Sequence, residues 1–156
     1  MKICKLLDQE NVLCQLEASN KTDVIDKLIG TLGKKIDPKM LENVRKAVFE
    51  RERIMSTGVG KGLAIPHGKC TGLDRNYASF ALLKEPVNFD SIDDQPVSLI
   101  FLLVGPESHN STHIKMLSRI SRLMNNSGFR DRLLNAHSAD EIIEAFNQEE
   151  AQYFEI

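Results

Sequence analysis

Apolar residues in this chain recur at every second position in some stretches and at every third or fourth in others, and the change of period marks out the elements. Residues 11–18 alternate, with Val12, Cys14 and Leu16 on one side, which predicts a short strand. Asn20 is placed to cap a helix over 21–35 that carries Val24, Leu28 and Leu32 on one face. Asp37 followed by Pro38 is a helix start, a capping acid before a proline in the first turn. That helix turns Leu41, Val44 and Val48 inward and ends near Arg53 and Ile54. A glycine-rich stretch, 56–62, feeds the short apolar run Leu63-Ala64-Ile65 and then Pro66-His67-Gly68. Residues 77–83 and 97–104 read as strands, and the second is apolar on both faces, as a central strand covered from two sides must be. An amphipathic helix over 111–125 turns Ile114, Leu117, Ile120 and Met124 inward. Another helix follows near 129–136. Ser138-Ala139-Asp140-Glu141 is a capping box opening a last helix with Ile142, Ile143 and Phe146 apolar. Strands and helices mix without strict alternation. The expected fold is therefore α/β: a single domain over 1–156 in which a mixed β-sheet is sandwiched between α-helices.

Composition narrows the function classes. The 156 residues suit one domain, and 42% hydrophobic with 27% charged residues excludes intrinsic disorder. Twenty Lys and Arg against twenty-two Asp and Glu leave no basic excess to drive nucleic-acid binding by counterion release. Cys4, Cys14 and Cys70 cannot all pair within one chain and show no CxxC spacing, which is the usage of reduced thiols. The N-terminal residues meet a lysine before any signal-peptide core can form. The longest apolar run, 99–104, is far short of the ~20 residues of a membrane span. These features predict a soluble cytoplasmic protein with no nucleic-acid partner and no membrane insertion.

Candidate chemistry gathers around two histidines. His67 follows an apolar segment, stands directly after a proline that restrains the backbone, and precedes a glycine, a setting in which reactive side chains are presented. The same features describe a turn residue, and on local sequence alone that reading is preferred. His113 falls in the first turn of a predicted helix, where the helix dipole favours an anion, on the face shared with Leu117, Ile120 and Met124. A buried structural histidine fits that pattern as well. Arg51 and Arg53 end the second helix just before the glycine stretch, so either can fold over an anion near His67. The glycines at 58, 60 and 62 match neither a dinucleotide fingerprint nor a P-loop, and their order between helix and strand is the reverse of both. His67, Cys70, His109 and His113 form a possible zinc set, although His109 and His113 straddle the predicted helix start.

Leu63-Ala64-Ile65-Pro66-His67-Gly68, with Glu52 upstream and Val59-Gly60 ahead of it, resembles the active-site signature of enzyme IIA proteins. These belong to the fructose/mannitol class (type 2) of the bacterial phosphoenolpyruvate-dependent sugar phosphotransferase system. Phe89-Asp90-Ser91-Ile92-Asp93-Asp94-Gln95-Pro96-Val97 and Thr112-His113-Ile114 extend the resemblance over a core of about residues 5–147. The chain is most similar to the nitrogen-regulatory branch, and Lys61 stands where mannitol-type proteins carry a glutamate. The resemblance implies a mixed sheet between helices and a phosphoryl carrier, a component of a relay rather than a stand-alone enzyme, with no cofactor. It implies that His67 is phosphorylated by a phosphohistidine on HPr or its nitrogen-branch paralogue, with Arg51 and His113 stabilising the phosphoryl group. Onward partners are regulatory target proteins or, in a fructose-type transport role, a cysteine of an enzyme IIB. Ile54, Met55, Val59 and Leu63 are candidates for an apolar docking rim, with core packing the alternative, favoured for Leu63 and open for Val59.

Overall fold

The structure is a computed structural model that describes residues 2–154. Its centre is a six-stranded mixed sheet. Strand β1 (Val12–Leu16) runs parallel to β5 (Tyr77–Val87), and β5 is antiparallel to β6 (Val97–Pro106). The far edge of β6 is shared by two short parallel strands in tandem. β3 (Leu63–Ala64) pairs near its start, and β4 (His67–Cys70) pairs Leu103 through Pro106. β2 (Gly58–Gly60) closes that edge antiparallel to β3.

Strand β6 explains the layering. Leu99, Phe101 and Leu103 point to one face, and Ile100, Leu102 and Val104 to the other, all buried. Helices α1 (Lys21–Gly30) and α2 (Pro38–Ile54) cover the second face with Val24, Ile25, Leu28, Val44 and Val48. Helices α3 (Asn110–Met124), α4 (Ser127–Leu134) and α5 (Ala139–Phe154) cover the first. There Phe80, Phe101, Phe129 and Phe146 meet edge to face, with ring centroids 5.1–6.2 Å apart, geometry that adds to plain area burial. The mixed sheet sandwiched between helices is the expected architecture. No helix among the described residues is long and apolar enough to cross a membrane.

The caps form as the sequence predicts: Asn20 accepts from the Asp23 amide and Asp37 from the Met40 amide. Four expectations are corrected. Leu16 does not share a face with Val12 and Cys14. Gln15 takes a left-handed backbone at φ 57° and the register with β5 shifts, which turns Leu16 to the α1/α2 side. Helix α1 stops at Gly30 instead of 35, because the chain tightens into i→i+3 turns between Gly30 and Gly33; Leu32 is buried from that turn. Ile114 is 57% exposed, and the buried stripe of α3 runs through His113, Met116, Ile120, Leu123 and Met124. Finally, His67 does not end a strand into a loop: it begins β4 after a two-residue break at Ile65 and Pro66.

Gly68 decides how closely α2 can approach that strand. A Cβ there would lie 3.1 Å from the Val48 amide nitrogen and 3.2 Å from its Cγ2. We therefore expect Gly68→Val to push α2 off β4 and to cost about 2 kcal/mol of stability, measured as a lower urea midpoint with an unchanged slope.

Candidate active site around His67

A buried acid organises this end of the molecule. Glu52, in the last turn of α2, is 7% exposed. Both its oxygens accept from the Thr57 amide at 3.0 Å, Oε1 also accepts from the Thr57 hydroxyl, and Lys21 Nζ lies 3.0 Å away. A carboxylate this deep is tolerable only when so surrounded. Lys21 in turn reaches the Phe89 carbonyl and sits over the Phe89 ring. The Ser56 hydroxyl donates to the same carbonyl. The segment after α2 and the segment after β5 are thus tied to one carboxylate.

The second of those segments, 88–96, packs on β2. The Ile92 amide donates to the Gly58 carbonyl and the Lys61 amide to Asp93 Oδ2. Only glycine fits at position 58, since a Cβ would stand 2.3 Å from Ser91 Oγ. Together they wall a cleft of about 660 Å³ whose lining includes Arg51, Met55, Val59, His67, Ile92 and Leu117.

His67 enters the cleft half-buried. The strand breaks at Ile65 and Pro66, and the His67 ring turns back so that Nδ1 lies 2.9 Å from the Ile65 carbonyl. A carbonyl oxygen only accepts, so Nδ1 carries the ring proton and Nε2 keeps its lone pair. Burial pushes the His67 pKa below the ordinary histidine value; the Ile65 hydrogen bond opposes this, and the charges of Arg51 and Lys69 add to it. At neutral pH this imidazole is therefore a neutral nucleophile.

His113 comes from the first turn of α3 and meets His67 with ring centroids 5.8 Å apart. It is 3% exposed, and burial, reinforced by His67 and Lys69, lowers its pKa to about 4. The helix start behind it is not capped by Asn110 or Ser111: a 3-10 turn over Glu107–His109 leads in, and Asn110 instead binds Lys69 Nζ. Arg51 lines the cleft and donates Nη1 to the Met55 carbonyl at 2.8 Å. Arg53 is exposed and does not line it.

Of the sequence-predicted trio, His67 and Arg51 line one cleft and His113 packs against the His67 ring, whereas the zinc set is not brought together. Along β4, His67 and Lys69 share one face, while Cys70 is buried on the other against Met40. His109 is exposed. Among the described residues no group of three or more His, Cys, Asp or Glu is placed to hold a metal. Of the candidate docking rim, Ile54, Met55 and Val59 are exposed, whereas Leu63 is core. Sequence reasoning missed Ile92, which is 86% exposed on the rim, and Lys69. Both had signals: Ile92 is an apolar residue among acids, and Lys69 stands two strand positions from His67.

Known proteins resemble this chain in sequence and in fold. Residues 5–149 match the family described as phosphoenolpyruvate-dependent sugar phosphotransferase system, EIIA 2. The PTS system fructose-specific EIIABC component of Bacillus subtilis (strain 168) is 36% identical over 148 residues, which are 95% of this chain and 23% of that protein. The chain therefore spans under a quarter of that relative's length. A nitrogen regulatory protein of Bradyrhizobium diazoefficiens is 35% identical over 146 residues, 91% of this chain and 92% of the other. The crystal structure of nitrogen regulatory protein IIA-Ntr from Neisseria meningitidis superposes with a TM-score of 0.86 at 30% identity, covering 92% of this chain and 98% of that one.

The buried His113 has a consequence for stability. Between the ordinary value near 6.5 and about 4, the unfolded chain binds a proton at this residue that the native protein refuses. Stability therefore falls as pH drops through that window, by about 1 kcal/mol per pH unit from this group. Urea unfolding of the protein and of His113→Asn at several pH values should show the steeper acid loss in the unsubstituted protein.

Proposed function

The chain belongs to the phosphoenolpyruvate-dependent sugar phosphotransferase system EIIA 2 family, and from that premise we propose that it is a phosphoryl carrier that is charged on His67 Nε2. The observation that carries this reading is the Nδ1 contact with the Ile65 carbonyl. It leaves the lone pair on the nitrogen not held by the backbone, in a ring kept neutral by burial. The acting unit is the single domain proposed over 1–156, with its core over about 5–147.

In the transfer, Nε2 attacks the phosphorus of a phosphohistidine on HPr or its nitrogen-branch paralogue. The new N–P bond forms as the donor's N–P bond breaks, and the donor imidazole leaves with the electron pair. No proton has to leave His67, because Nε2 carried none. The phosphorylated ring gains positive charge while it keeps its Nδ1 proton, and the Ile65 carbonyl dipole is aligned to stabilise it. Phosphoryl transfer needs chiefly positioning and charge stabilisation of the equatorial oxygens. Arg51, at the cleft wall, supplies a fixed cation, and His113 supplies a ring at contact distance from His67. The exposed Ile54, Met55, Val59 and Ile92 form the apolar part of the partner surface. A small interface of that kind suits a partner that must be released after each transfer.

The role we favour is that of a regulatory phosphoprotein that acts on partner proteins according to its phosphorylation state. A fructose-type transport role, in which the phosphoryl group passes to a cysteine of an enzyme IIB, uses the same site. It draws support from the identity to the fructose-specific relative, which is as high as that to the nitrogen regulatory protein. Only the acceptor separates the two.

With phosphoenolpyruvate, enzyme I and either HPr, intact mass under alkaline conditions should show a single acid-labile phosphoryl adduct. His67→Ala should abolish it, and phosphorus–nitrogen NMR should place it on Nε2. Arg51→Ala should slow transfer by about 10²–10³-fold. An adduct that survives His67→Ala, or one on Nδ1, would refute the assignment.

A further inference from the structure

We propose that Asn76 is a positioning residue for His113: its side-chain carbonyl accepts the His113 Nδ1 proton and holds the ring with Nε2 turned toward His67. Among the described residues, four buried side-chain polar atoms have no hydrogen-bond partner: both ring nitrogens of His113, Asn76 Oδ1 and Ser91 Oγ. Three of the four belong to these two side chains. They occur together at Gly105, where a Cβ would stand 2.0 Å from Asn76 Oδ1 and 3.4 Å from His113 Nδ1.

The register explains the meeting. Tyr77 pairs with Val104, so Asn76 arrives beside Gly105 just ahead of β5. Lys69 pairs with Gly105 from the other edge, and α3 lays His113 across the strand end. The absent side chain of Gly105 is what leaves room for the amide.

Chemistry then selects the partner. A neutral imidazole has one donor and one acceptor nitrogen, and an amide oxygen only accepts. Leaving both sides unbonded is unfavourable for buried polar groups, so a rotation of the Asn76 amide that joins them is favoured. The other ionisable side chains that bear on His113 are His67 and Lys69 on β4; Lys69 is a cation and cannot accept, and His67, whose Nε2 lone pair can, is hydrogen-bonded to neither His113 nitrogen. The purpose of the contact rests on the carrier reading given above. When a phosphoryl group occupies His67, its oxygens favour a second proton, drawn from solvent, on His113 Nε2. The ring then bridges Asn76 and the phosphoryl group as a cation. Asn76 touches neither reacting atom and acts only through His113.

The contact is tested in the unphosphorylated protein labelled with ¹⁵N-histidine, using long-range proton–nitrogen correlation. His113 should appear as the Nδ1–H tautomer. Asn76→Ala should shift it toward Nε2–H, and Gly105→Ala, which evicts the amide without altering it, should do the same. Asn76→Asp should keep Nδ1–H and raise the proton affinity of His113 at least tenfold. In the relay, Asn76→Ala should slow transfer about tenfold, with the aspartate variant restored. A wild-type spectrum with His113 as Nε2–H, or a tautomer unmoved by Asn76→Ala, overturns the proposal. If an alanine variant fails to fold, the wild-type spectrum still decides. Because the tautomer is read with no donor present, its failure is distinct from failure of the relay.

Discussion

A carboxylate removed from water has to be given donors, and Glu52 draws its donors from segments that are far apart in the chain. Thr57 comes from the entry to β2 and Lys21 from the start of α1, and Lys21 carries Phe89 with it. The two segments that wall the cleft, the one after α2 and the one after β5, are held by these contacts. Leaving a buried charge unpaired is far more costly than any single surface contact, so the carboxylate acts as a clamp rather than as a source of net stability. The acid of the family signature is in this way a structural residue of the site. It lies within a helical turn of Arg51, yet it points into the protein while Arg51 lines the cleft.

Under the proposed carrier role, the site also has to satisfy two opposed demands on one imidazole. Before transfer the ring must be neutral, and afterwards it must carry a phosphoryl group with positive charge on the ring and negative charge on the oxygens. Burial serves the first demand, since it disfavours the protonated ring of His67 and more strongly that of His113. Arg51 and Lys69 push in the same direction before transfer and change sign in effect once the oxygens arrive. The Ile65 carbonyl opposes the depression from the start, and the charge of Glu52 adds to that opposition. The carbonyl fixes the tautomer and keeps the ring from being an indifferent base. The two-residue break between β3 and β4 at Ile65 and Pro66 lets the imidazole fold back on the carbonyl two positions earlier.

Much of this was legible in the residues, and the failures share a cause. Periodicity placed the helices and the long strands because their burial is one-sided and sustained. It misplaced Leu16 and Ile114, since a single left-handed residue flips a strand face and a single step of 100° leaves a helix stripe. Strand β4 escaped because His67, Gly68, Lys69 and Cys70 have no strand-like composition; pairing with β6 makes them a strand. The split of the zinc set was invisible for the same reason, as alternation along β4 sends His67 and Cys70 to opposite faces. His67 stood in a recognisable signature, with Arg51 directly before its acid. Asn76 did not, because its relation to His113 exists only through the register of β5 on β6 and the empty side of Gly105.

The exposed apolar rim is the feature least explained by stability. Ile54, Met55, Val59 and Ile92 gain nothing from water, and each stands outside a core that is already filled. They lie on the segments that Glu52 clamps, so their positions are held although their surfaces are bare. A preorganised rim lowers the ordering cost of docking. A small rim suits a short-lived complex. Both properties are required where a phosphoryl group must arrive from one protein and leave to another through the same opening. A wider rim would hold the donor too long, and a mobile one would leave the two imidazoles poorly aligned for in-line transfer. The arrangement around His67 is therefore as much a solution to exchange of partners as to the chemistry of the N–P bond.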